Sequence, residues 1–593
     1  MKKIVHKADL IKVAGKDNFF IRAIASVAMG VLGFNKINRL YSPSADLKNQ
    51  AFTEHMLNMY NITYDNHSSE LNSIPKEGGF IVVSNHPFGA IEGIILYDAI
   101  SKVRPDFKVM ANFILSYIPN LRDVFIPVNP FTNNPEWGSS VGGIKTAMEH
   151  LSQNKGLGIF PAGEVSRYNG HDYPEDIEWS VTIAKLVRKT GLPVIPVFFD
   201  GKNSKKFYRH AKINSMLGTA RLPKELLNKR NKHIVMKIGK PINPSELDSF
   251  DDYKELAAYL RARSYALEAN IQTEKVEYNN SKQEPLPPPL KSFLMVNELN
   301  RIRKKSLLFT CAQYECYFAD YNDIPKIMYE LGRRREEAFR AVGEGSGKKL
   351  DTDKYDTYYK HLLLWDKEEN RLAGGYRLGI GDDIVSKYGI DGFYVSSLFK
   401  FDEKFENVFR DTIELGRSFV TVDYQKDILP LMLLLKGLMM VAYKYNKVKY
   451  FIGPVSISNW YPKFYKSLMV HYISNKFSCD NSLMEMVRPR TPFEPDFLKT
   501  DVNILLENID TVEKFDRYML RLSNGDYRLP TLFKKYLKLQ SSFLCFNLDP
   551  DFNDTLDGLL LLELDNIPES ELLMLMKDSN EEEKCALMKR FGK

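Results

Sequence analysis

The chain is expected to be α/β, arranged as two α/β domains, and three observations predict this. Each half alternates short β-rich apolar runs with stretches of helical periodicity. A polar and then proline-rich segment at 274–290 (EKVEYNNSKQEPLPPPL) separates the halves and has linker composition. At 593 residues the chain exceeds what a single hydrophobic core usually organises. The expected division is a first domain over 1–273, a linker over 274–300, a second domain over 301–498 and an extension over 499–593 with no role legible in its residues.

Composition narrows the class. Apolar residues make up 44% and charged residues 26%, ordinary globular values that exclude a disordered or fibrous chain. No internal repeat of solenoid period is present. The five cysteines, Cys311, Cys316, Cys479, Cys545 and Cys585, are scattered, odd in number and without paired metal-ligand spacing. Neither a disulfide framework nor a metal site is expected, and a reducing cytoplasm fits. Met1 to Lys16 mixes charges with apolar residues and reads as no secretory leader.

No uncharged run reaches the ~20 residues needed to cross a bilayer. The nearest is Phe19 to Phe34, FFIRAIASVAMGVLGF, which carries Arg22. It fits a helix lying in the headgroup region with Arg22 snorkelling, or a buried N-terminal helix, and both readings stay open. Net charge is +7, with basic stretches at Lys202–Lys212, Lys224–Lys232 and Arg333–Arg335. Such surface suits anionic lipid or an acidic carrier protein. Nucleic acid is not expected as a partner, because no helix-turn-helix, zinc finger or aromatic platform accompanies the charge.

In the first half, Phe80–Ser84 (FIVVS), Gly156–Phe160 (GLGIF) and Pro193–Phe199 (PVIPVFF) read as buried strands. Helices are expected at Val141–Ser152 and Ile177–Lys189. In the second half, a helix is expected within Asp323–Val342, and strands at His361–Asp366, Leu372–Ile380 and Thr412–Val422. A helix at Ile428–Tyr445, a strand at Lys449–Ile457 and a helix at Trp460–Ile473 follow.

Three segments of the first half carry chemistry. Ser84–Gly93 (SNHPFGAIEG) leaves a strand through a tight turn shaped by Pro87 and Gly89 and opens a helix. That puts His86 at the carboxyl end of a strand, the usual place for chemistry in an open α/β sheet. Glu92, six residues on, is placed to orient the imidazole and stabilise its cation, and His86 then takes a proton from an attacking hydroxyl. Phe160–Arg167 (FPAGEVSR) also follows a strand; its small residues admit a ligand, and Ser166 and Arg167 can grip an anion. Val194–Gly201 (VIPVFFDG) is a strand ending in a turn.

Asn85-His86-Pro87, Phe160-Pro161-Ala162-Gly163 and Val194-Ile195-Pro196-Val197, in this order, resemble the blocks of the glycerol-phosphate and lysophosphatidic acid (PlsC-like) acyltransferase family, over roughly residues 70–245. The resemblance implies a histidine–acid dyad that moves acyl groups from a thioester to a hydroxyl, with His86 and Glu92 catalytic. It implies substrate contacts from Asn85, Gly89, Gly163, Glu164, Ser166 and Arg167. The sequence departs from the family twice. The family's acid is an Asp five positions after the histidine; here Ile91 stands there and Glu92 follows. The glutamate of the family's F-P-E-G block is Ala162, and Glu164-Val165-Ser166-Arg167 replaces its phosphate-binding residues. An acceptor with a carboxylate, such as a lyso-aminolipid, fits this change.

The second half concentrates its signals between Arg335 and Ile457. Arg335 and Phe339 are four apart, on one helix face. Asp351, Asp353 and Asp356 precede a strand, Gly374–Leu378 (GGYRL) lies on the next one, and Ile413–Val420 reads IELGRSFV. Strand alternation sends Glu414 and Gly416 to one face and Arg417 toward the other unless a bulge intervenes, and Gly416 is the candidate bulge position. A bulge frees a backbone N–H for a thioester oxyanion, while Glu414 or an Asp-bound water takes the proton of an amine. The aspartates lack the spacing of a calcium loop.

Arg335/Phe339, Asp353/Asp356, Gly375/Arg377 and Glu414/Arg417 resemble the R-x-x-x-F, D-x-x-D, G-x-R-L and E-x-x-R pattern of GNAT-fold N-acyltransferases that use acyl carrier protein, over about residues 315–475. This group includes acyl-homoserine-lactone synthases and the first enzymes of ornithine- and glycine-lipid synthesis. The resemblance implies Glu414 as catalytic and Arg335, Phe339, Asp353, Asp356, Arg377 and Arg417 as substrate-binding. The glycine-rich loop with which coenzyme-A-dependent GNAT enzymes cradle pyrophosphate is absent after IELGRSFV. An acyl-carrier-protein thioester is therefore the expected donor, with acyl-CoA also open to the first domain, and no bound cofactor is expected. Asn547–Asn553 (NLDPDFN) resembles the C-terminal part of the same synthases.

Together the halves resemble bifunctional ornithine- or glycine-lipid synthases. The expectation is N-acylation of an amino acid by the second domain, then O-acylation of the 3-hydroxyacyl amide by the first, at the inner face of the bacterial cytoplasmic membrane. Expected partners are acyl carrier protein, an anionic membrane surface, a small amino acid and a lyso-aminolipid. A lysophospholipid O-acyltransferase with an accessory second domain is the alternative within enzymes. A membrane-surface binding protein with degenerate sites is the alternative outside them, and the altered spacing of Glu92 is the feature that favours it.

Overall fold

A computed structural model describes residues 3, 6–8, 11, 19–65, 67–112, 118–128, 140–169, 172–213, 215–271 and 283–593. The chain forms two compact units. The first comprises Met1–Thr273 and Phe497–Arg528, the second Glu274–Asp496 and Leu529–Lys593. The part of the expected linker at 274–282 lies outside the described residues.

The first unit is built on a six-stranded sheet. Its strands are β1 (Phe80–Ser84), β2 (Lys108–Asn112), β3 (Phe125–Val128), β4 (Gly156–Ile159), β5 (Val194–Phe199) and β6 (Met236–Ile238), in the spatial order β6-β5-β1-β4-β2-β3. All neighbours are parallel except the β5–β6 pair. A parallel sheet is covered on both faces, which is why β1 and β5 are apolar without alternation and buried throughout. Its helices include α1 (Phe19–Val31), α2 (Ile91–Ser101), α3 (Ser140–Ser152), α4 (Val181–Thr190), α5 (Lys205–Ile213), α6 (Ser215–Asn228) and α7 (Tyr253–Tyr265). Central β1 has β4 on one side and β5 on the other. The three motif segments therefore leave the carboxyl ends of three adjacent parallel strands.

On α1, Ala25 and Met29 are buried, whereas Val27 and Val31 are 64% and 62% exposed. Among the described residues no helix is long and apolar enough to cross a membrane. Helix α4 starts at Val181, four residues later than expected, because 176–180 are held out of the helix by contacts of Asp176 and Trp179 described below.

The second unit opens on α8 (Ser292–Ser306), so nine residues of the expected linker are helical. Met295, Leu299 and Ile302 recur at helical spacing and are buried. An eight-stranded sheet follows. Its strands are β7 (Leu307–Cys311), β8 (Tyr314–Asp320), β9 (Lys360–Asp366), β10 (Arg371–Ile380), β11 (Thr412–Val420), β12 (Tyr450–Ile457), β13 (Ser542–Asp549) and β14 (Thr555–Glu563), ordered β7-β8-β9-β10-β11-β12-β14-β13. Helix α9 (Pro325–Arg340) connects β8 to β9, and α10 (Leu429–Lys444) connects β11 to β12.

Every pairing in this sheet is antiparallel except β11–β12. That one is parallel and stops after three residue pairs, at Glu414–Ile452. Helix α11 (Lys463–Lys476) begins three residues later than expected, directly after Pro462, which fits the fixed φ of proline at a helix start.

The segment 499–593 is not one extension. Its first part packs in the first unit, where the helix Val512–Leu522 buries Phe515, Tyr518, Met519 and Leu522 and Arg521 pairs with Glu246 at 2.7 Å. Its second part completes the second sheet. β14 pairs with β12 through eight residues, Tyr450–Glu563 to Ile457–Leu556. Leaving β12 as an edge would expose unpaired N–H and C=O groups, and the β13–β14 hairpin removes that liability.

Close backbone approach makes Gly381 a sensitive point of the second unit. A methyl group there would run into the carbonyl oxygens of Phe409 and Thr412. Gly381→Ala is expected to destabilise this unit by about 2 to 3 kcal/mol, read by calorimetry as a lowered transition for the second unit alone. An unshifted transition would contradict this packing.

Candidate active sites

In the first unit, the chain leaves β1 at Asn85 and turns before α2. Asn85 Nδ2 donates to the Phe199 carbonyl (2.9 Å), and Phe199 N–H donates to Asn85 Oδ1 (2.7 Å). Both amide atoms thus extend the β1–β5 ladder by one rung. Asn85, expected to contact substrate, is buried here and fixes the turn. Gly89 has φ +104°, and a Cβ there would meet Leu222 at 2.5 Å and Val165 at 2.9 Å. It is a conformational requirement of the turn.

Glu92 lies in the first turn of α2 and is fully buried. Its Oε1 accepts from the N–H of Phe88 (2.8 Å) and of Gly89 (2.7 Å), and lies 2.9 Å from His86 Nδ1. The extra residue between histidine and acid is absorbed by the turn. Burial alone would raise the Glu92 carboxyl pKa, but the His86 charge and the bonds from His86 and Gly89 hold it below its ordinary value. Burial alone would lower the His86 pKa, but the charge and contact of Glu92, with Asp176 behind them, raise it. The imidazole ring rests on Phe160 at 4.6 Å between centroids, and its side chain is 17% exposed.

After β4, Gly163 N–H closes a turn onto the Phe160 carbonyl (3.0 Å). Glu164 and Arg167 form an ion pair with 35% and 42% of their side chains exposed, so Arg167 remains open to an anion that displaces Glu164. Ser166 does not. It is buried and its hydroxyl donates to Asp176 Oδ1 at 2.6 Å. Two further residues belong to this site and carry no sequence motif. Asp176 is described below. Lys229 places Nζ 4.0 Å from the centre of the Phe88 ring, and burial pulls its pKa down to about 8 although Glu92 and Glu225 oppose this.

In the second unit, β11 carries a bulge. Gly375 faces Phe419 and Arg377 faces Gly416, so β11 has one extra residue there, and Arg417 takes φ +49°. The bulge is one residue past Gly416. A left-handed arginine costs roughly 1–2 kcal/mol, offset here by its side-chain partners. Arg417 Nε is 2.9 Å from Asp351 Oδ2, and Nη2 is 3.4 Å from Asp353 Oδ2. Its guanidinium lies over the rings of Tyr394 (4.7 Å) and Phe552 (4.5 Å), and Phe552 meets Phe339 edge-on at 6.3 Å.

Behind it the charges continue as a chain. Arg377 Nη1 reaches Asp353 (2.6 Å) and Asp356 (3.4 Å), and Arg335 Nη1 reaches Asp356 (2.8 Å). Arg335, Arg377 and Asp356 are buried. These predicted residues come together, but as a buried network whose accessible rim is Asp353 and Arg417. Arg335 and Asp356 touch each other and other protein groups.

Glu414 stands apart from that chain. It is fully buried, its Oε1 accepts from Val395 N–H (2.9 Å), and its Oε2 accepts from Tyr394 N–H (3.1 Å) and the Tyr359 hydroxyl. Burial pushes its pKa up to about 7 against those bonds. With both oxygens engaged and no exposed surface, Glu414 anchors the 394–395 backbone and so sets the Tyr394 ring over Arg417. The structure thus places Glu414, expected to take an amine proton, behind the Tyr394–Arg417 contact and away from accessible surface.

Three carboxylates missed by sequence reasoning lie nearby: Asp549 and Asp557 feel the charge of Arg417, and Glu344 feels that of Asp557. Asp549 Oδ2 is 3.5 Å from the Tyr394 hydroxyl. Asp557 accepts from the Ser456 hydroxyl at 2.6 Å, and burial pushes its pKa up to about 7. Glu344, in the turn after α9, is half-buried in accessible surface yet deep among protein atoms, which together with the Asp557 charge raises its pKa to about 8. The turn is fixed by Asn553 Nδ2 on the Gly343 carbonyl (3.1 Å) and Ser458 Oγ on the Val342 carbonyl (2.6 Å). The only advance signal was NLDPDFN, which contains Asp549.

Comparison with known proteins follows the same division. A family described as acyltransferase matches residues 21–274, and one described as acetyltransferase (GNAT) domain matches 334–435. A glycine N(alpha)-acyltransferase of Phocaeicola vulgatus is 30% identical over 306 residues, 49% of this chain and 91% of that protein. The protein of the same name from Bacteroides thetaiotaomicron is 30% identical over 304 residues, 49% of this chain and 88% of its own. A lyso-glycine lipid O-acyltransferase of Phocaeicola vulgatus is 29% identical over 205 residues, 33% of this chain and 71% of that protein. The chain thus belongs to this acyltransferase family, and it is an enzyme that joins an acyltransferase domain and a GNAT domain in one polypeptide.

Proposed function

We propose that the protein makes a diacylated glycine lipid in two steps: the second unit N-acylates glycine with a 3-hydroxyacyl chain, and the first unit esterifies that hydroxyl. What carries this reading is that the two relatives' names describe consecutive reactions, and one chain matches most of the length of both proteins. The donor for the amide step is an acyl-carrier-protein thioester; acyl-CoA serves the ester step as well. The work takes place on the cytoplasmic face of an anionic membrane, a placement supported by the exposed Val27 and Val31 of α1 and by the net charge of +7.

In the ester step, neutral His86 accepts the proton of the acceptor hydroxyl as its oxygen attacks the thioester carbon. Glu92 holds the ring by Nδ1 and stabilises the imidazolium. The proton then passes to the departing thiolate. Arg167, released from Glu164, meets the acceptor carboxylate. In the amide step the glycine ammonium must first lose a proton. Glu344 and Asp557, whose pKa values of about 8 and 7 lie close to working pH, receive it. Arg417 attracts the glycine carboxylate, and Glu414 acts by holding Tyr394 in place.

Lipid mass spectrometry of an expressing host tests the order. His86→Ala is expected to accumulate the N-acyl amide and to lower the diacyl product by about 10²–10⁴-fold. Undiminished diacyl lipid would remove His86 from the ester step. A host that gains acylated phospholipid and no aminolipid would point instead to a lysophospholipid acyltransferase.

The two steps should also differ in pH dependence. The ester step needs neutral His86, whose pKa is raised, so its acid limb should lie above the ordinary imidazole value of about 6.5. The amide step needs ionised Glu344 and Asp557, so its rate should climb from about pH 7 to 8. Glu344→Gln should cut N-acylation by at least about tenfold and flatten this rise; an unchanged profile would exclude Glu344.

A further inference from the structure

We propose that Asp176 is a positioning residue for the ester step, a second carboxylate that fixes the backbone of His86 and favours the protonated ring once His86 has taken the hydroxyl proton. This inference rests on the reading of the first unit as the O-acylating one.

The geometry is specific. Asp176 is 2% exposed. Its Oδ1 accepts from the His86 backbone N–H (3.1 Å) and the Ser166 hydroxyl (2.6 Å), and its Oδ2 accepts from Trp179 Nε1 (2.9 Å). Its own N–H donates to the Tyr265 hydroxyl (2.8 Å), and its carbonyl accepts from Arg261 Nη2 (3.1 Å). Ser166 N–H in turn donates to the His86 carbonyl (2.9 Å). One side chain therefore ties the turn after β1 to the turn after β4, the two segments that carry the base and the anion-facing arginine.

Burial raises the Asp176 pKa, while the Ser166, Trp179 and His86 hydrogen bonds and the His86 charge oppose it; two of its three side-chain donors are N–H groups, which cannot accept, and these favour the ionised carboxylate. A structural clamp alone needs no charge in this place, and a buried carboxylate costs several kcal/mol unless something repays it. In the resting enzyme the three donors supply that repayment, and the imidazolium formed during reaction adds the opposite charge. Other charged and titratable groups around the ring are Glu92 on α2, the Glu164–Arg167 pair after β4, Glu175 with Arg261 of α7, Tyr208 on α5, Glu225 on α6 and Lys229 just beyond α6. Of these, Glu92 alone joins Asp176 in contacting the His86 turn directly and adding negative charge to the His86 balance.

The test uses the full-length enzyme with an N-(3-hydroxyacyl)glycine acceptor and an acyl thioester. The ester rate is followed against pH for wild type, Asp176→Asn and Asp176→Glu. Asp176→Asn should move the acid limb of kcat/KM down by roughly half to one pH unit and lower kcat by about tenfold or more, with KM within about threefold. Asp176→Glu should return the limb toward the wild-type position. The calorimetric transition of the first unit, unshifted from wild type, reports that the variants are folded.

A folded Asp176→Asn whose limb does not move overturns the proposal, whether kcat falls or not. If Asp176→Asn fails to fold, Ser166→Ala decides, because it removes one donor and leaves the charge: kcat should drop by about threefold or more with an unmoved limb, and an unchanged kcat overturns the proposal. A wild-type enzyme that makes no ester would instead defeat the reading of the first unit.

Discussion

A charge taken out of water must find a partner, and in this protein that single constraint organises both candidate sites. Removing a carboxylate or guanidinium from water costs several kcal/mol unless opposite charge and hydrogen bonds replace the lost hydration. In the first unit Glu92 is buried, and its Oε1 is engaged by two backbone N–H groups and lies beside His86 Nδ1. In the second, Arg335, Asp356, Arg377, Asp353, Arg417 and Asp351 form an alternating chain in which each charge faces the opposite sign. Removing any member leaves a neighbour short of an opposite charge, so these residues help define the local backbone.

The two units meet that constraint with different backbones. In the first, a parallel sheet sends β4, β1 and β5 toward the same edge, and tight turns after each strand converge there. The Asn85 amide continues the β1–β5 ladder past its last residue, and Asp176 links the turns after β1 and β4. In the second, a bulge in β11 spends left-handed strain at Arg417 to carry its guanidinium to Asp351 and Asp353. The β11–β12 pairing ends just before, at Glu414, so the two strands are free of each other where the arginine turns.

Much of this was legible in the residues. The runs FIVVS, GLGIF and VIPVFF announced β1, β4 and β5 because strands buried on both faces must be continuously apolar. His86 and Glu92 were legible as a pair because a tight turn leaves few geometries for six residues. The grouping of arginines and aspartates in the second unit was legible too, but their burial was not. Sequence spacing says which side chains share a region, whereas exposure depends on what packs above them. Glu414 illustrates the gap: its position on β11 was readable, and its engagement by Tyr359, Tyr394 and Val395 was not. The start of α4 was misplaced for the same reason, since helical periodicity at 177–180 cannot register the contacts of Asp176 and Trp179.

By itself the sequence determined the α/β class, the strand-end imidazole and its acid, and the set of charged residues on β10 and β11. These are local properties, fixed by hydrophobic period, turn chemistry and spacing within a few residues. Only the tertiary structure decided that 497–528 pack in the first unit while β13 and β14 close the second sheet, that Asp176 reaches His86 across 90 residues of chain, and that Asp557 comes near both Arg417 and Glu344. Such contacts join distant segments, and no local pattern states which edge a strand will choose or which buried charge it will answer.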